Sequence, residues 1–365
     1  MKFQDEYRER ELVQGLAGAI CREAAGLQQP VRFMEVCGTH TMAIARFGLK
    51  SLLPSSVQLV SGPGCPVCVT PVGYIDHALA LAVLPGLTIA TFGDLLRVPG
   101  SRSTLMAARA AGADVRVVYS ALDAVRLAEQ LPQQRVVFLG VGFETTTPTV
   151  GAAILAASAK GLQNFFVLAS HKTMPGPMQA LSSDPGLRVS GYLCPAHVST
   201  VIGGIAYQPL AERFGIPCVV TGFEPADVLQ GVLLLLRQHL AGEARVEIQY
   251  ARAVSWEGNP KARQILAEVF EPVDALWRGL GMLPGSGLAI REAFGRFDAA
   301  RMLAVELPEP LEPAGCRCGE VLTGRIDPSA CPLFGTACTP ETPVGACMVS
   351  SEGSCAAAWR YGATI

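Results

Sequence analysis

The pattern that most constrains this fold is an alternation of short β-rich runs with helical stretches over residues 1–242. Strands are predicted at residues 31–36, 57–61, 87–91, 115–119, 135–141, 165–169, 188–193 and 217–221. Helical stretches follow most of these runs. This order is typical of parallel sheets whose crossover helices cover their faces. The sequence therefore predicts an α/β fold built on parallel strands.

The predicted strands divide into two sets of four near Pro132, and the two sets resemble each other weakly. V-R-F-M-E-V-C-G-T-H-T in the first set resembles V-V-F-L-G-V-G-F-E-T-T in the second. Each is a buried strand followed by a glycine-containing turn and by threonines that can cap a helix. We therefore predict two similar, facing parallel-sheet α/β domains, at residues 1–131 and 132–242. The third segment, residues 243–365, is predicted to be helical and then cysteine-rich.

Composition excludes several classes of function. Hydrophobic residues make up 50% of the chain and charged residues 16%, which allows a large buried core. The net charge of −2 gives no reason to expect nucleic acid or an anionic membrane as a partner. Uninterrupted apolar runs are far too short to span a bilayer, and the N-terminus is too charged for a secretory signal. We expect a soluble cytoplasmic protein.

Cysteine is unusually abundant for a cytosolic chain, with 12 residues. Structural disulfides are rare in that compartment, where cysteine clusters more often hold a metal or perform redox chemistry. Half of the cysteines lie in the C-terminal tail: Cys316, Cys318, Cys331, Cys338, Cys347 and Cys355. The tail lacks the two C-x-x-C pairs of a zinc ribbon, and its wide spacings suit a [4Fe–4S] cluster held by four thiolates. A four-thiolate zinc site is the alternative, and either leaves two thiols surplus.

The segment G-P-G-C-P-V-C, residues 62–68, places Cys65 and Cys68 directly after a predicted strand and before a predicted helix. A C-x-x-C pair at such a place is a redox dithiol or half of a metal site. Thr70 and Pro71 suit the start of the next helix, whose positive end favours thiolate. The alternative is a pair of buried structural thiols, which the G-P-G-C-P loop disfavours.

Other polar segments also follow predicted strands directly, at the edge where open parallel sheets bind ligands. Cys37 and His40 follow the first strand and can share a metal such as iron or zinc. The alternative is a core thiol beside a capping histidine. Further candidates, each with an ordinary structural alternative as a turn, core or helix-start residue, are Glu144, His171, Cys194, His197 and Glu224. If the two domains face each other, these turns line one cleft.

Several long motifs occur together in this chain. They are C-G-T-H-T, G-P-G-C-P-V-C-V-T-P, G-F-E-T-T-T-P, S-H-K, C-P-A-H-V, W-E-G-N-P and W-R-G-L-G, followed in the tail by C-P-L-F-G, C-T-P and C-M-V-S-S-E-G-S-C. In this order they resemble the HypD family, the iron–sulfur scaffold proteins of [NiFe]-hydrogenase maturation. The resemblance covers nearly the whole chain and is specific, because so many separate motifs agree.

The resemblance implies a scaffold that holds iron while the Fe(CN)₂CO group of the hydrogenase is built. It implies a HypC-type chaperone as partner, a HypE-type protein as cyanide donor and a [4Fe–4S] cluster as cofactor. The family's required cysteines in the α/β domains fall on Cys37, Cys65 and Cys68. Its cluster spacing, C-x14-C-x6-C-x16-C, falls on Cys316, Cys331, Cys338 and Cys355. Cys318 and Cys347 are then the surplus pair.

The chemistry of the residues agrees with these implied roles. Iron carrying CO and cyanide is soft, so the Cys37 thiolate is a suitable ligand, with His40 orienting it or binding nearby. Cys65 and Cys68 suit a dithiol/disulfide couple at the mouth of the interdomain cleft, near which the tail would bring its cluster. Two other functions stay open: a [4Fe–4S] oxidoreductase acting on a small substrate in the cleft, and a zinc-stabilised interaction protein.

Overall fold

A computed structural model describes residues 5–362 of the chain. Its strands are β1 (Val31–Glu35), β2 (Val57–Ser61), β3 (Leu87–Thr91), β4 (Asp114–Val117), β5 (Arg135–Gly142), β6 (Phe165–Lys172), β7 (Gly191–Pro195), β8 (Cys218–Thr221), β9 (Val246–Ile248), β10 (Phe270–Trp277) and β11 (Gly281–Ile290). Each of the predicted strands is present, with small shifts at its ends.

The α-helices are α1 (Arg10–Ala24), α2 (Gly38–Arg46), α3 (Val72–Ala82), α4 (Leu105–Ala110), α5 (Ala121–Gln130), α6 (Thr147–Ala159), α7 (Pro175–Ser182), α8 (Ala196–Ile202), α9 (Gln208–Phe214), α10 (Pro225–Ala241), α11 (Pro260–Val269), α12 (Ala299–Met302), α13 (Cys318–Leu322), α14 (Ala346–Val349) and α15 (Ser354–Tyr361). None of the helices within residues 5–362 has the length and apolar character needed to cross a membrane.

The strands form two sheets in which parallel pairing dominates. Sheet A has the order β2-β1-β7-β8-β9, and all its neighbouring strands are parallel. Sheet B has the order β10-β11-β6-β5-β3-β4. Strands β4, β3, β5 and β6 are parallel, and the β10–β11 hairpin adds an antiparallel edge. The predicted α/β class with two parallel-dominated sheets and a cysteine-rich C-terminal region is confirmed.

The two sheets exchange strands across the boundary predicted near Pro132. Strands β1 and β2 pair with β7 and β8, whereas β3 and β4 join β5 and β6. The ranges 1–131 and 132–242 therefore each contribute strands to both sheets, and the boundary does not separate the sheets. Apolar periodicity identifies a strand but not its partner, and strands adjacent in sequence are neighbours in many folds but not in all.

The stretch between α10 and the cysteine-rich tail differs from its prediction as a helical segment. It contains α11, but also β9 at the edge of sheet A and the β10–β11 hairpin of sheet B. Strand β10 buries its end residues, Phe270 and Trp277, and leaves most of its middle exposed. It therefore lacks the alternation by which a strand is recognised from sequence.

Apolar cores cover the faces of both sheets and meet in the middle of the molecule. Helices α1 and α10 pack on one face of sheet A around Ile20 and Phe33. Separate cores that include Ile75 and Phe138 cover the two faces of sheet B. The other face of sheet A meets the hairpin and the cysteine-rich tail in a central core that includes Trp277. This central core contains most of the candidate cysteines.

Candidate functional site

Cys37 lies in the turn after β1, where sheet A reverses its strand order between β1 and β7. Such a reversal opens a crevice at the carboxyl ends of the strands. The residue is the N-cap of α2, with φ −147° and ψ 123°, and its side chain is buried. Burial raises the pKa of the Cys37 thiol to about 12, and the carboxylate of Glu352 raises it further. The backbone N–H groups of His40 and Thr39 oppose this rise in pKa.

Glu35 holds the Cys37 turn from inside the protein. Its Oε2 accepts the backbone N–H of Cys37 at 3.1 Å, and its Oε1 accepts the hydroxyl of Thr41. Burial raises the pKa of Glu35 to about 8, although hydrogen bonds from Thr41 and Cys37 lower it. Sequence reasoning missed this residue. The available signal was a carboxylate among the apolar residues Phe33, Met34 and Val36, just before the C-G-T-H-T motif.

Two histidines flank Phe223 in the same crevice. Nε2 of His40 lies 3.0 and 2.9 Å from the carbonyl oxygens of Thr221 and Gly222, so this nitrogen carries the proton. The Nδ1 atom of His40 is buried and has no hydrogen-bond partner within residues 5–362. Burial lowers the pKa of His40 to about 4, which keeps the ring neutral. The rings of His40 and His197 lie 4.8 and 4.2 Å from that of Phe223.

The tail reaches this crevice through Glu352. The carboxylate of Glu352 accepts the Thr39 hydroxyl at 2.7 Å. Gly38 permits the approach, because a Cβ at that position would lie 2.5 Å from the Cβ of Glu352 and 2.8 Å from its carbonyl oxygen. Burial lowers the pKa of His197, and the charge of Glu352 opposes this change. Sequence reasoning missed Glu352 as well, although the tail motif M-V-S-S-E-G-S-C contains it.

Cys65 and Cys68 form a disulfide with their Cα atoms 5.2 Å apart. The loop packs directly on the Cys37 turn: the N–H of Gly38 donates to the carbonyl of Gly64 at 3.0 Å. A Cβ on Gly64 would collide with the backbone of Cys37. Both disulfide cysteines are buried, so the prediction that they lie at the mouth of a cleft is wrong.

The tail is what buries the disulfide loop. Sγ of Cys68 lies 3.9 Å from the carbonyl oxygen of Ala346, the residue before Cys347. Both disulfide cysteines and several tail cysteines belong to the same central core. The tail therefore folds back onto the loop, and the dithiol/disulfide position adjoins the tail thiols.

All six tail cysteines line one small enclosed cavity. The lining cysteines are Cys316, Cys318, Cys331, Cys338, Cys347 and Cys355, and the rest of the wall is mostly apolar, with Val321, Leu333, Phe334 and Met348. The sulfur atoms of Cys318 and Cys347 are 2.7 Å apart. The four predicted ligands and the two predicted surplus thiols thus share one cavity.

Thiols enclosed by apolar side chains are the donor set of an iron–sulfur cluster or a zinc site. Within residues 5–362, no three His, Cys, Asp or Glu side chains converge closely enough to hold a single metal ion. The six thiols that line the cavity fit a thiolate-bound group by their chemistry, and they exceed the four that either kind of site requires.

Two further candidates are buried near the carboxyl ends of β5 and β6 in sheet B. Oε1 of Glu144 accepts the backbone N–H of Met174 at 3.0 Å, and burial raises the pKa of Glu144 to about 7. The ring of His171 packs against Phe270 at 5.3 Å, and burial lowers the pKa of His171 to about 3. Glu144 follows β5 as predicted, whereas His171 lies within β6, because this strand continues to Lys172 and pairs there with β5 and β11. The contacts just described are with sheet B and the segment after β6.

The remaining candidates have structural surroundings. Glu224 is the N-cap of α10, where Asp227 accepts its backbone N–H at 3.3 Å, and its carboxylate pairs with Arg8. Cys194 and Cys218 are buried in the central core beside sheet A. These positions agree with the structural alternatives for Glu224 and Cys194.

Comparison with known proteins gives one consistent result along almost the whole chain. A family model named HypD, described as the hydrogenase formation hypA family, matches residues 11–362. The chain belongs to the HypD family. The hydrogenase maturation factor HypD of Rhizobium leguminosarum bv. viciae is 48% identical over 373 residues, which cover 99% of this chain and 96% of the relative. The HypD factor of Escherichia coli (strain K12) is 46% identical over 366 residues, covering 99% and 98%.

The HypD match confirms the family that the motifs predicted. Because the relatives are matched over nearly their full length, the Cys37 turn, the disulfide loop and the tail cavity all lie within the matched region. The chain is therefore a hydrogenase maturation factor of this family, and the junction of these three cysteine groups is its candidate functional site.

Proposed function

We propose that this HypD-family chain is the scaffold on which the Fe(CN)₂CO group of a [NiFe]-hydrogenase is assembled, with the iron as its cargo. One observation carries the proposal: three groups of cysteines pack against each other in series. The Cys37 turn contacts the disulfide loop through Gly64, and Cys68 of that loop contacts the tail beside its thiol cavity. A thiol ligand, a redox disulfide and a cluster-binding cavity thus occupy one junction.

Cys37 is the proposed protein ligand of the cargo iron, shared with a cysteine of a HypC-type chaperone. Iron carrying cyanide and CO is soft, which favours thiolate. Since burial raises the pKa of Cys37 to about 12, binding of the metal must displace the thiol proton. His40 is neutral and presents an unpartnered Nδ1 in the same turn, which suits a role in orienting the cargo.

The tail cavity is proposed to hold a [4Fe–4S] cluster through Cys316, Cys331, Cys338 and Cys355. Its donor set fits this group, which takes four thiolates and supplies one-electron redox chemistry. Cys65 and Cys68 are proposed to interconvert between disulfide and dithiol, a change that takes up two electrons and two protons. Their burial beneath the tail shields this couple from small thiols in solution.

Cyanide is proposed to arrive from a HypE-type protein at the crevice between β1 and β7. His197 is exposed there, whereas Cys37 is only 8% exposed. The side of the crevice with His197 and Phe223 is therefore the proposed face for both the cyanide donor and the chaperone. We expect the docked partner to displace Glu352 from Thr39, because this contact covers the Cys37 turn.

Anaerobic co-purification with a HypC-type partner tests the proposal. We expect the wild-type complex to contain iron and to show infrared bands of bound CN and CO, and Cys37→Ala to lose both bands. Cys21→Ala is the matched control, because Cys21 is an exposed thiol in α1. Bands of full intensity in Cys37→Ala would refute the iron assignment. The competing function, a [4Fe–4S] oxidoreductase, requires that the wild-type complex show no such bands.

A further inference from the structure

A pocket of about 650 Å³ lies between sheet A, helix α2 and the cysteine-rich tail. Strands β1 and β2 form one side of it, α2 and the turn after that helix form a second, and residues of the tail form the third. We call it the α2 pocket. Val321 and Phe334 line both this pocket and the thiol cavity, so they separate the two spaces. The volume of the α2 pocket is in the range of sites that hold small molecules.

Much of the wall of the α2 pocket is apolar. The apolar side chains come from both the α/β region and the tail, and they include Ile44, Leu59, Val60, Ile326, Phe334 and Ala357. An apolar body that displaces water from such a wall is stabilised by the hydrophobic effect. The pocket therefore suits a ligand with a hydrophobic part.

The charged residues of the α2 pocket favour an anion. The cations on its wall are Arg32, Lys50 and Arg325, and the acids are Glu35 and Asp327. Glu35 is engaged inside the protein, because its two oxygens accept the N–H of Cys37 and the hydroxyl of Thr41. Arg325 is also engaged, since it pairs with Asp184. Arg32 and Lys50 are then the cations that can serve a ligand.

The charges of Arg32 and Lys50 are only weakly compensated. The guanidinium of Arg32 donates to the carbonyl oxygen of Gly324 at 2.6 Å, and this neutral acceptor does not cancel its charge. Nζ of Lys50 lies 3.6 Å from Oδ1 of Asp327, whose side chain is 75% exposed, so solvent weakens this long ion pair. An anionic group that reaches Arg32 and Lys50 gains charge-assisted hydrogen bonds.

We propose that the α2 pocket binds a small organic anion, with the charged group at Arg32 and Lys50 and the apolar body against the walls from β2, α2 and the tail. Helix α15 packs on α2 at this pocket. A ligand that binds only the packed arrangement stabilises it, so an occupied pocket holds the tail on α2. The site uses none of the cysteines and is separate from the proposed iron and cluster sites.

Isothermal titration calorimetry of the full-length chain with octanoate tests the proposal, because octanoate joins one carboxylate to an apolar chain. We expect octanoate to bind at a single site. Octan-1-ol lacks the charge and should bind about tenfold more weakly, as expected for the loss of hydrogen bonds to charged groups. Acetate lacks the apolar body and should not bind in the same concentration range.

Charge variants test the position of the carboxylate. Arg32→Met and Lys50→Met should each weaken octanoate binding about fivefold, which is the effect of a partly exposed ion pair. Arg46→Met is the matched control, because Arg46 is an exposed residue of α2 outside the wall of the pocket. Its affinity for octanoate should equal that of the wild type.

A pair of variants in α15 tests the position of the apolar body. Ala358 is half-buried and lines the pocket, so Ala358→Leu fills part of the space and should abolish octanoate binding. Ala356 is also half-buried in α15 but lies outside the wall, and Ala356→Leu should bind octanoate like the wild type.

Hydrogen exchange of the wild type with and without octanoate locates the site independently of any variant. Exchange should slow in α2 and α15 and stay unchanged in α5, which is remote from the pocket wall.

Three results would each overturn the proposal: no octanoate binding by the folded wild type, equal affinity for octan-1-ol, or binding that Ala358→Leu and both charge variants leave unchanged. Arg32→Met also loses the contact with Gly324, so its melting is measured, and Lys50→Met decides if Arg32→Met does not fold. None of these measurements depends on iron, so the scaffold function can fail or hold separately.

Discussion

Burial holds Cys37, Glu35 and His40 in their neutral forms. Burial raises the pKa of Cys37 to about 12 and that of Glu35 to about 8, and it lowers the pKa of His40 to about 4. A pocket of neutral groups can stay dry at little cost, whereas unpaired buried charges would be expensive. If Cys37 binds the cargo iron as proposed, negative charge develops on its sulfur only when the metal displaces the thiol proton. This arrangement suits a site that is empty for part of its working cycle.

Glu144 should make the protein less stable as the pH rises. Burial disfavours the carboxylate and raises the pKa of Glu144 from its ordinary value of 4.5 to about 7 in the folded chain. Between these values the folded chain binds more protons, so the stability that the carboxyl contributes is present below pH 4.5 and is lost as pH rises through 7. Glu144→Gln cannot ionise. Relative to wild type, it should gain stability between pH 5 and 8, up to about 3 kcal/mol.

Thermal unfolding of wild type and Glu144→Gln between pH 5 and 8 measures this gain in stability. The difference between their Tm values should grow as the pH rises. Glu268→Gln is the control, because Glu268 is an exposed residue of α11 and its replacement should leave the difference flat. Melting temperatures of Glu144→Gln and wild type that run parallel from pH 5 to 8 would contradict the assigned environment of Glu144.

A functional residue could be predicted from sequence where its residue type is rare in its local sequence context, such as a cysteine in a turn after a strand. Cys37 and Cys65 stand beside glycines after strands, and Cys68 follows Cys65 at C-x-x-C spacing, so this setting indicated chemistry. Glu35 is an ionisable residue of a type that is ordinary in a sequence, and it becomes unusual only when its burial is known. Exposure is decided by what packs on top of a residue, and for Cys65 and Cys68 that cover comes from the distant tail.

At the scale of elements, the strands were predictable and their partners were not. A run of β-branched residues between turns marks a strand wherever it pairs, which is why β1 to β8 agree with the sequence. The order of sheet A depends on contacts between residues far apart in the chain, such as the register of Phe33 with Gly191. The tail helices are short, and their positions follow from the thiol cavity rather than from local apolar patterns.

The ligand assignment in the tail predicts a division among the six cysteines. Serine at Cys316, Cys331, Cys338 or Cys355 should each lower the iron and acid-labile sulfide bound per anaerobically purified chain, because thiolate donors are lost. Cys318→Ser and Cys347→Ser are the matched controls and should retain both. All six thiols line the cavity, so loss of iron in either control, with retention in one of the other four, would transfer the ligand role to that control residue.

The contact between the tail and the Cys37 turn predicts a specific effect of Gly38→Ala. The added methyl would stand 2.5 Å from the Cβ of Glu352, so the segment before α15 must move away from α2. We expect faster hydrogen exchange in α15 and in the Cys37 turn, with unchanged exchange in α3. Gly15→Ala is the control, because a Cβ at Gly15 in α1 meets nothing within 4 Å. Equal protection of α15 in wild type and Gly38→Ala would show that Glu352 does not hold the tail.

At the scale of the whole molecule, the β10–β11 hairpin and the tail, which both follow the α/β region in sequence, close the junction over the earlier segments. Glu352 contacts the Cys37 turn and Ala346 contacts Cys68. Arg278, in the turn after β10, donates its backbone N–H to the carbonyl oxygen of Val69, the residue after Cys68. Each contact links segments that are far apart in sequence. The site therefore forms only after both sheets are complete. For this reason the sequence motifs could identify the site residues, but could not predict that they are buried.

Strand exchange between the sheets predicts that neither half of the α/β region folds alone. The fragment 1–131 contains β1 to β4, but β1 requires β7 and β3 requires β5 as neighbours in the centre of each sheet. We expect this fragment to show no cooperative melting transition and to bind a hydrophobic dye, because its apolar strand faces lack cover. The intact chain, measured in parallel, should melt cooperatively.

Co-expression with the fragment 132–365 is the matched control. The break lies in the turn between α5 and β5, where Pro132 and Gln133 are exposed, so the two fragments should co-purify as a folded complex. Parallel pairing between distant strands also makes assembly slow, and the complex should form better during synthesis than on mixing of purified pieces. A fragment 1–131 that melts cooperatively as a monomer would show that the first four strands form a sheet of their own.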